Sequence, residues 1–225
     1  MILITGAAGF IGSRLAHALH QAGAGPLVLV DDFRPEKEAN LRGLEGYLYI
    51  PRSELFQWLA QASPPVQLVY HMGARTDTGE QDEALFNELN LHYSQQLWRW
   101  CTQQQVPLYY ASSAATYGGG EHGFDDDPAL LSQLQPLNPY AQSKHAFDLW
   151  VLQQPPDAQP PSWAVFKFFN VYGPGEGHKG AMASVVWHAW QQITASGQLK
   201  LFRSHNPDYE DGGQLRDFVY VKDCV

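Results

Sequence analysis

The chain has 225 residues, enough for one domain and part of a second with a sizeable core. Hydrophobic residues make up 44% of it and aromatics 13%, which excludes a disordered chain. Lys and Arg number 14 against 23 Asp and Glu, and the net charge of -9 argues against a nucleic-acid surface.

No apolar run reaches the ~18 residues that read as a membrane span. The N-terminal apolar run has no basic region before it and goes straight into glycines, so no signal peptide is expected. The two cysteines, Cys101 and Cys224, are far apart and suggest neither a disulfide framework nor zinc spacing. A reducing cytoplasm fits them best, and no metal is expected.

Met1 to Thr5 is an apolar run without alternation, the pattern of a parallel strand buried on both faces. Gly6, Gly9 and Gly12 follow at G-x-x-G-x-x-G spacing. A helix is then predicted over Ser13 to Gln21, with Ile11, Leu15 and Leu19 at four-residue intervals. Glycines at such a turn let the backbone approach a pyrophosphate, which the helix N-terminus holds with free amides. Pro26 to Val30 reads as the second strand and ends at Asp31 and Asp32. An acid there can accept the adenosine ribose hydroxyls. Arg34 and Lys37 follow closely and could instead pair with a 2'-phosphate, so the residues leave both NAD and NADP open.

Ser53 is expected to cap a short helix through Gln61. Val66 to Tyr70 reads as a strand that runs into His71-Met72-Gly73-Ala74-Arg75, and His71 reads as structural. Gln81 to Gln105 reads as one long helix containing Asn90, an amide suited to capping or to a cofactor. Pro107 to Tyr110 is a strand leading into Ser112 and Ser113, which could donate to a substrate oxygen or simply form a turn. Gly118 to Asn138 reads as loop, its run Asp125-Asp126-Asp127 solvated.

Tyr140 and Lys144 lie four apart on a helix, one turn from each other. A phenol holds its proton until pH ~10, and a neighbouring ammonium is expected to lower that value. Tyr140 is therefore a candidate general base that Lys144 tunes. Trp163 to Phe169 reads as a strand, and Asn170 to Gly180 as a glycine-rich binding loop. A helix over Met182 to Ala195 contains His188. Strands are expected at Leu199 to Phe202 and at Arg216 to Val221.

This combination resembles the extended short-chain dehydrogenase/reductase superfamily. The segments Tyr110 to Gly119, Phe169 to Pro174, Glu176-Gly177-His178-Lys179-Gly180, Met182 to Val185 and Arg216 to Val221 resemble its ADP-glycero-manno-heptose 6-epimerase family. The resemblance implies an α/β fold: a doubly wound parallel (Rossmann) sheet over 1–169 and part of a substrate-binding domain over 170–225. It implies NADP-dependent epimerisation at C6'' of ADP-D-glycero-β-D-manno-heptose for lipopolysaccharide synthesis. Another nucleotide-sugar 4-epimerase or dehydratase, or a non-catalytic dinucleotide-binding fragment, stays open.

By the resemblance, Tyr140 and Lys179 are the acid/base pair, with Lys144 and Ser113 assisting. Gly6, Gly9, Phe10, Ile11, Gly12, Asp31, Asp32, Lys37, Arg52, Met72, Gly73, Ala74, Arg75, Thr76, Asn90, Lys144 and Val171 would hold the cofactor. Asn170, Lys179, Ala181, His188, Phe202, Arg203, Ser204, His205 and Arg216 would hold the ADP-sugar. A homo-oligomer, a pentamer, is implied as well. Asp32 stands where asparagine is expected and Ala181 where serine is expected. Family members are longer at the C-terminal end, so a truncated substrate domain is expected.

Overall fold

Strand β1 (Ile2–Thr5) is buried along both neighbours because Leu3 and Ile4 are apolar and the Thr5 hydroxyl is bonded to His71. It pairs in parallel with β2 (Leu27–Asp31), Thr5 opposite Val30, and with β4 (Leu68–His71), Thr5 opposite His71. Adding β3 (Leu48–Pro51), β5 (Leu108–Ser113) and β6 (Trp163–Phe168) gives one parallel sheet in the order β3-β2-β1-β4-β5-β6. The strand order reverses between β1 and β4, and such a switch point opens a crevice at the carboxyl edge where ligands bind. The computed structural model describes residues 1–225.

Helices cover both faces: α1 (Phe10–Gln21), α2 (Leu55–Ala62), α3 (Glu83–Phe86), α4 (Tyr93–Gln104) and α5 (Pro139–Leu152). On one face α4 and α5 bury Leu97, Trp98, Phe147 and Val151 against Leu3, Val69, Leu108 and Tyr110. On the other, Leu15 and Ala16 of α1 meet Ile4, Leu27 and Leu29. Each such large side chain contributes about 1.5–3 kcal/mol on burial. A second, two-stranded parallel sheet pairs β7 (Asn170–Tyr172) with β8 (Phe218–Tyr220) and is joined by α6 (Val185–Ser196). No helix is long and apolar enough to cross a membrane.

Five expectations change. Strand β3 was not legible: it is four residues long, half exposed, ends in proline, and sits at the sheet edge. Ser53 caps nothing; it lies inside a 3-10 turn, Arg52–Glu54, that runs into α2. The predicted helix over 81–105 begins at Asp82, whose carboxylate accepts the Leu85 N–H at 3.1 Å, and widens into a π-helical stretch at Asn87–His92. Leu199 to Phe202 is no strand. Its backbone bonds are taken by Gln192 Oε1 at Lys200 N and by the Gly212 amide at the Phe202 carbonyl, which leaves no ladder to form. The loop after Gly118 also contains a 3-10 turn, Pro128–Gln133. Asp127 caps it by accepting the Ala129 N–H, so this acid is more than a solvated charge.

Candidate active site

The glycine turn between β1 and α1 lies at the switch point. Gly6 has φ +67°, and a Cβ there would come within 2.6 Å of Gly73 Cα. A Cβ on Gly12 would sit 2.2 Å from the Gly6 carbonyl oxygen. Only glycine lets these segments close up, and closing them leaves the first-turn amides of α1 free to meet a phosphate. Asp31, at the end of β2, accepts from Ala8 N–H at 2.9 Å and Asp32 N–H at 2.7 Å, and Lys37 Nζ donates to it at 2.7 Å. It therefore ties the glycine turn to the next strand. Lys37 also bonds Asp32, and Arg34 Nε lies 2.7 Å from the other Asp32 oxygen. Burial pushes the Asp31 carboxyl up. For Asp32 burial acts the same way, but the bonds from Asp31 and Lys37 and the charges of Lys37 and Arg34 outweigh it and hold the carboxyl down.

At the end of β4, His71 is buried between Thr5 Oγ1 at 2.6 Å and Ser94 Oγ at 2.8 Å. Burial, helped by the Lys144 charge, pushes its pKa down to about 3, so it stays neutral and structural as expected. Met72 and Gly73 follow directly and pack against Gly6. Asn90, 1% exposed, accepts the Arg75 N–H at 2.7 Å and donates to the Arg75 carbonyl at 3.0 Å and to Ser143 Oγ at 2.9 Å. The Arg75 guanidinium is drawn to Asp77 and Glu80.

The Tyr140 helix is capped by Asn138, whose Oδ1 accepts the Ala141 N–H at 2.9 Å, with Pro139 at its first position. Tyr140 reaches Ser113 at the end of β5, and its ring meets Phe86 at 6.4 Å. Ser113 Oγ also accepts the Ala115 N–H, so it forms a turn as well. Contrary to the sequence expectation, the phenol's pKa is raised. Burial outweighs the Ser113 hydrogen bond, and Asp148 adds to the rise. Lys144 does not offset this, because its amine donates to the Ala111 carbonyl at 2.8 Å; burial brings it down to about 8. Asp148, one turn beyond Lys144, accepts from Ser112 Oγ at 2.7 Å and Tyr110 Oη at 3.1 Å and faces Lys167 at 3.6 Å. It fastens α5 to the end of β5.

Lys179 Nζ stands 5.6 Å from the Phe10 ring centroid, over the glycine turn. Burial pushes its pKa down and Glu176 pushes it up. Beside it, Asn40 donates to the Ala8 carbonyl at 3.1 Å and to His178 Nδ1 at 3.0 Å, joining the Lys179 loop to the glycine turn. Val171 is buried with Phe10. Other expected substrate residues are spread out. His188 is half-buried on α6, Asn170 bonds the Asp217 carbonyl, and Ala181, Phe202, Arg203 and His205 are exposed, with Ser204 half-buried. Arg216 is also exposed and donates to its neighbour's carbonyl. Sequence reading missed Asn40 and Asp148. The four-residue step from Lys144 marks Asp148, while nothing local marks Asn40.

The model of the NAD dependent epimerase/dehydratase family matches residues 2–225. The chain belongs to that family. The epimerase from Fusobacterium nucleatum, an ADP-L-glycero-D-manno-heptose-6-epimerase, is 45% identical over 230 residues, covering 100% of this chain and 69% of its own. The ADP-L-glycero-D-manno-heptose-6-epimerase of Nitratidesulfovibrio vulgaris (strain DP4) is 45% identical over 228 residues, with 100% and 70% coverage. Among solved structures, the Helicobacter pylori ADP-L-glycero-D-manno-heptose-6-epimerase superposes with TM-score 0.81 at 29% identity, over 99% of this chain and 70% of that one. The Bacillus cereus UDP-glucuronic acid 4-epimerase, solved with UDP-glucuronic acid and NAD, gives 0.74 at 25%, over 99% and 70%. The chain thus spans about 70% of these epimerases' length.

As a member of the epimerase/dehydratase family, the chain is an isomerase of the nucleotide-sugar type that uses a nicotinamide dinucleotide. Its residues fit that cofactor. The Gly6–Gly12 turn is a cradle that a Cβ would fill, and Tyr93 Oη and Arg75 Nε are buried polar atoms without partners in the chain.

Proposed function

We propose that this epimerase acts on ADP-D-glycero-β-D-manno-heptose, inverting C6'' by transient oxidation and re-reduction, as a step toward lipopolysaccharide. One relationship carries the reading. Lys179 overhangs the turn after β1, and Tyr140 with Ser113 stands at the end of β5, on the same carboxyl edge of the sheet. Only β4 separates β1 from β5, so the two ends are about 10 Å apart. A sugar carbon between them would meet a proton-transfer group on each side.

A bound nicotinamide would supply the reversible hydride acceptor. Asp31, Lys37 and Arg52 would hold its adenosine side, Gly6 to Gly12 its diphosphate, and Met72 to Thr76, Asn90, Lys144 and Val171 the remainder. Burial raises the Tyr140 phenol, which favours its protonated, donating form, and burial lowers the Lys179 amine, which eases the loss of its proton. Lys179 would take the C6'' hydroxyl proton from one face, and Tyr140 would return a proton to the oxygen on the other. Each group then holds the other's starting state, ready for the reverse reaction. Ser113 would orient the oxygen. Asn170, Ala181, His188, Phe202 to His205 and Arg216 would hold the ADP-sugar. The resemblance favours NADP and a pentamer in the cytoplasm. One observation favours NAD instead: Asp32 keeps Lys37 and Arg34 paired, which competes with a 2'-phosphate.

The test is product analysis after incubation with the ADP-heptose and, separately, with UDP-galactose. Conversion of the ADP-heptose alone is expected. Conversion of UDP-galactose alone would replace this reading with a 4-epimerase. Tyr140→Phe and Lys179→Met are each expected to lower turnover by about 10²–10⁴-fold with the dinucleotide still bound.

A further inference from the structure

We infer that Glu176 is a positioning residue for Lys179: its buried carboxylate gathers both ends of the 173–184 loop and so keeps the amine over the glycine turn. The inference rests on the reading of Lys179 given above.

Glu176 is 1% exposed, although it is a carboxylate in a loop. Burying such a charge is costly unless several donors converge on it. Here they do. Oε1 accepts the Gly173 N–H at 2.9 Å and the Ser184 hydroxyl at 2.9 Å, and Oε2 accepts the Ser184 N–H at 2.5 Å. One donor residue lies three positions before Glu176 and the other eight after it, so a single side chain closes the loop. Ser184 Oγ in turn accepts the Trp187 N–H at 3.0 Å and caps α6. The loop is therefore anchored to the start of a twelve-residue helix.

Lys179 lies within the span that is closed. Its own amide donates to the Glu176 carbonyl at 2.9 Å, which sets the lysine one turn beyond the acid. Gly173 at φ +138°, Gly175 at +100° and Gly180 at +54° give the backbone the turns this path needs. Nothing else fastens both ends at once: the Asn40–His178 bond holds only the middle. Glutamine has the size of glutamate but only one acceptor oxygen. In Glu176→Gln its amide N–H groups would face a backbone or hydroxyl donor, and the closure would open.

The experiment measures covalent labelling of lysines by an amine-reactive acylating reagent, read by mass spectrometry on the whole chain. In the wild type, Lys179 should label more slowly than the exposed Lys200 and Lys222. In Glu176→Gln the Lys179 rate should rise severalfold toward theirs, with Lys200 and Lys222 unchanged and the thermal transition retained. Ser184→Ala, which removes one donor, should give a smaller rise and serves if the glutamine variant does not fold. An unaltered Lys179 rate in a folded variant would overturn the inference, as would an equal rise at all three lysines, which would mark general loosening. Labelling needs no turnover. A Lys179→Met variant with full activity would therefore remove the catalytic reading while this result still reported on position.

Discussion

Asn90 Nδ2 meets Ser143 Oγ at 2.9 Å, across 53 residues of chain, one position before Lys144. The same amide bonds both the N–H and the C=O of Arg75. One side chain therefore fixes the segment after β4 against the helix that carries Tyr140 and Lys144. Asn90→Ala would leave those backbone groups buried and unpaired. It should cost about 1–3 kcal/mol of stability and weaken dinucleotide retention, read from urea unfolding and from nucleotide released on denaturation. A variant with wild-type values in both would deny Asn90 this role.

Gly12→Ala forces a methyl to within 2.2 Å of the Gly6 carbonyl, a backbone atom that cannot step aside. The turn must open, and the purified variant should carry little or no dinucleotide. Gly46→Ala is the control. Its φ is +96° with nothing within 4 Å, so it should cost only about 1–2 kcal/mol of strain and leave the cofactor in place. Full occupancy in the Gly12 variant would refute the cradle.

Asp32 occupies Lys37 and Arg34, the cations nearest the end of β2. Asp32→Asn frees Arg34 and leaves Lys37 held by Asp31 alone. The ratio of NADP to NAD affinity should rise by about tenfold, equivalent to about 1.4 kcal/mol, in titrations of the stripped protein. An unchanged ratio would mean that these cations do not read the 2'-position.

His71 titrates near 6.5 when exposed and at about 3 in the fold. Between those values the unfolded chain takes up a proton that the folded chain refuses. Its contribution to stability is thus complete above pH 6.5 and is lost as pH falls toward 3, with a slope approaching about 1.4 kcal/mol per pH unit. Asp31 and Asp148, both raised by burial, act in the opposite sense, so the comparison must be with His71→Gln. Chemical denaturation from pH 7 to pH 4 should show a shallower decline in that variant. Parallel curves would exclude His71 as the source.

Much of the architecture was legible because burial writes itself into composition. Strands β1, β2 and β4 to β6 are apolar runs, and the glycines at 6 and 12 sit where no side chain fits. Tyr140 and Lys144 were legible from helical spacing, but their electrostatics were not. That spacing brings the two onto one face; it does not say that the amine turns to the Ala111 carbonyl, or that burial outweighs it at the phenol. Glu176 read as part of a polar loop because its three donors come from Gly173 and Ser184, and such convergence has no periodicity. Strand β3 escaped because an edge strand needs only one buried face and tolerates proline.

The π-helical stretch at Asn87–His92 gives the site a dependence on residue count as well as residue type. A wide turn holds one residue more than an α-turn, and this one lets α3 and α4 keep their own buried faces while Asn90 points inward. Removing a single residue there would restore regular α winding with α3 and α4 still in phase, but it would take away the extra residue that lets Asn90 reach Arg75 and Ser143. An insertion or deletion in this stretch would therefore disturb the crevice more than most exchanges of one side chain for another.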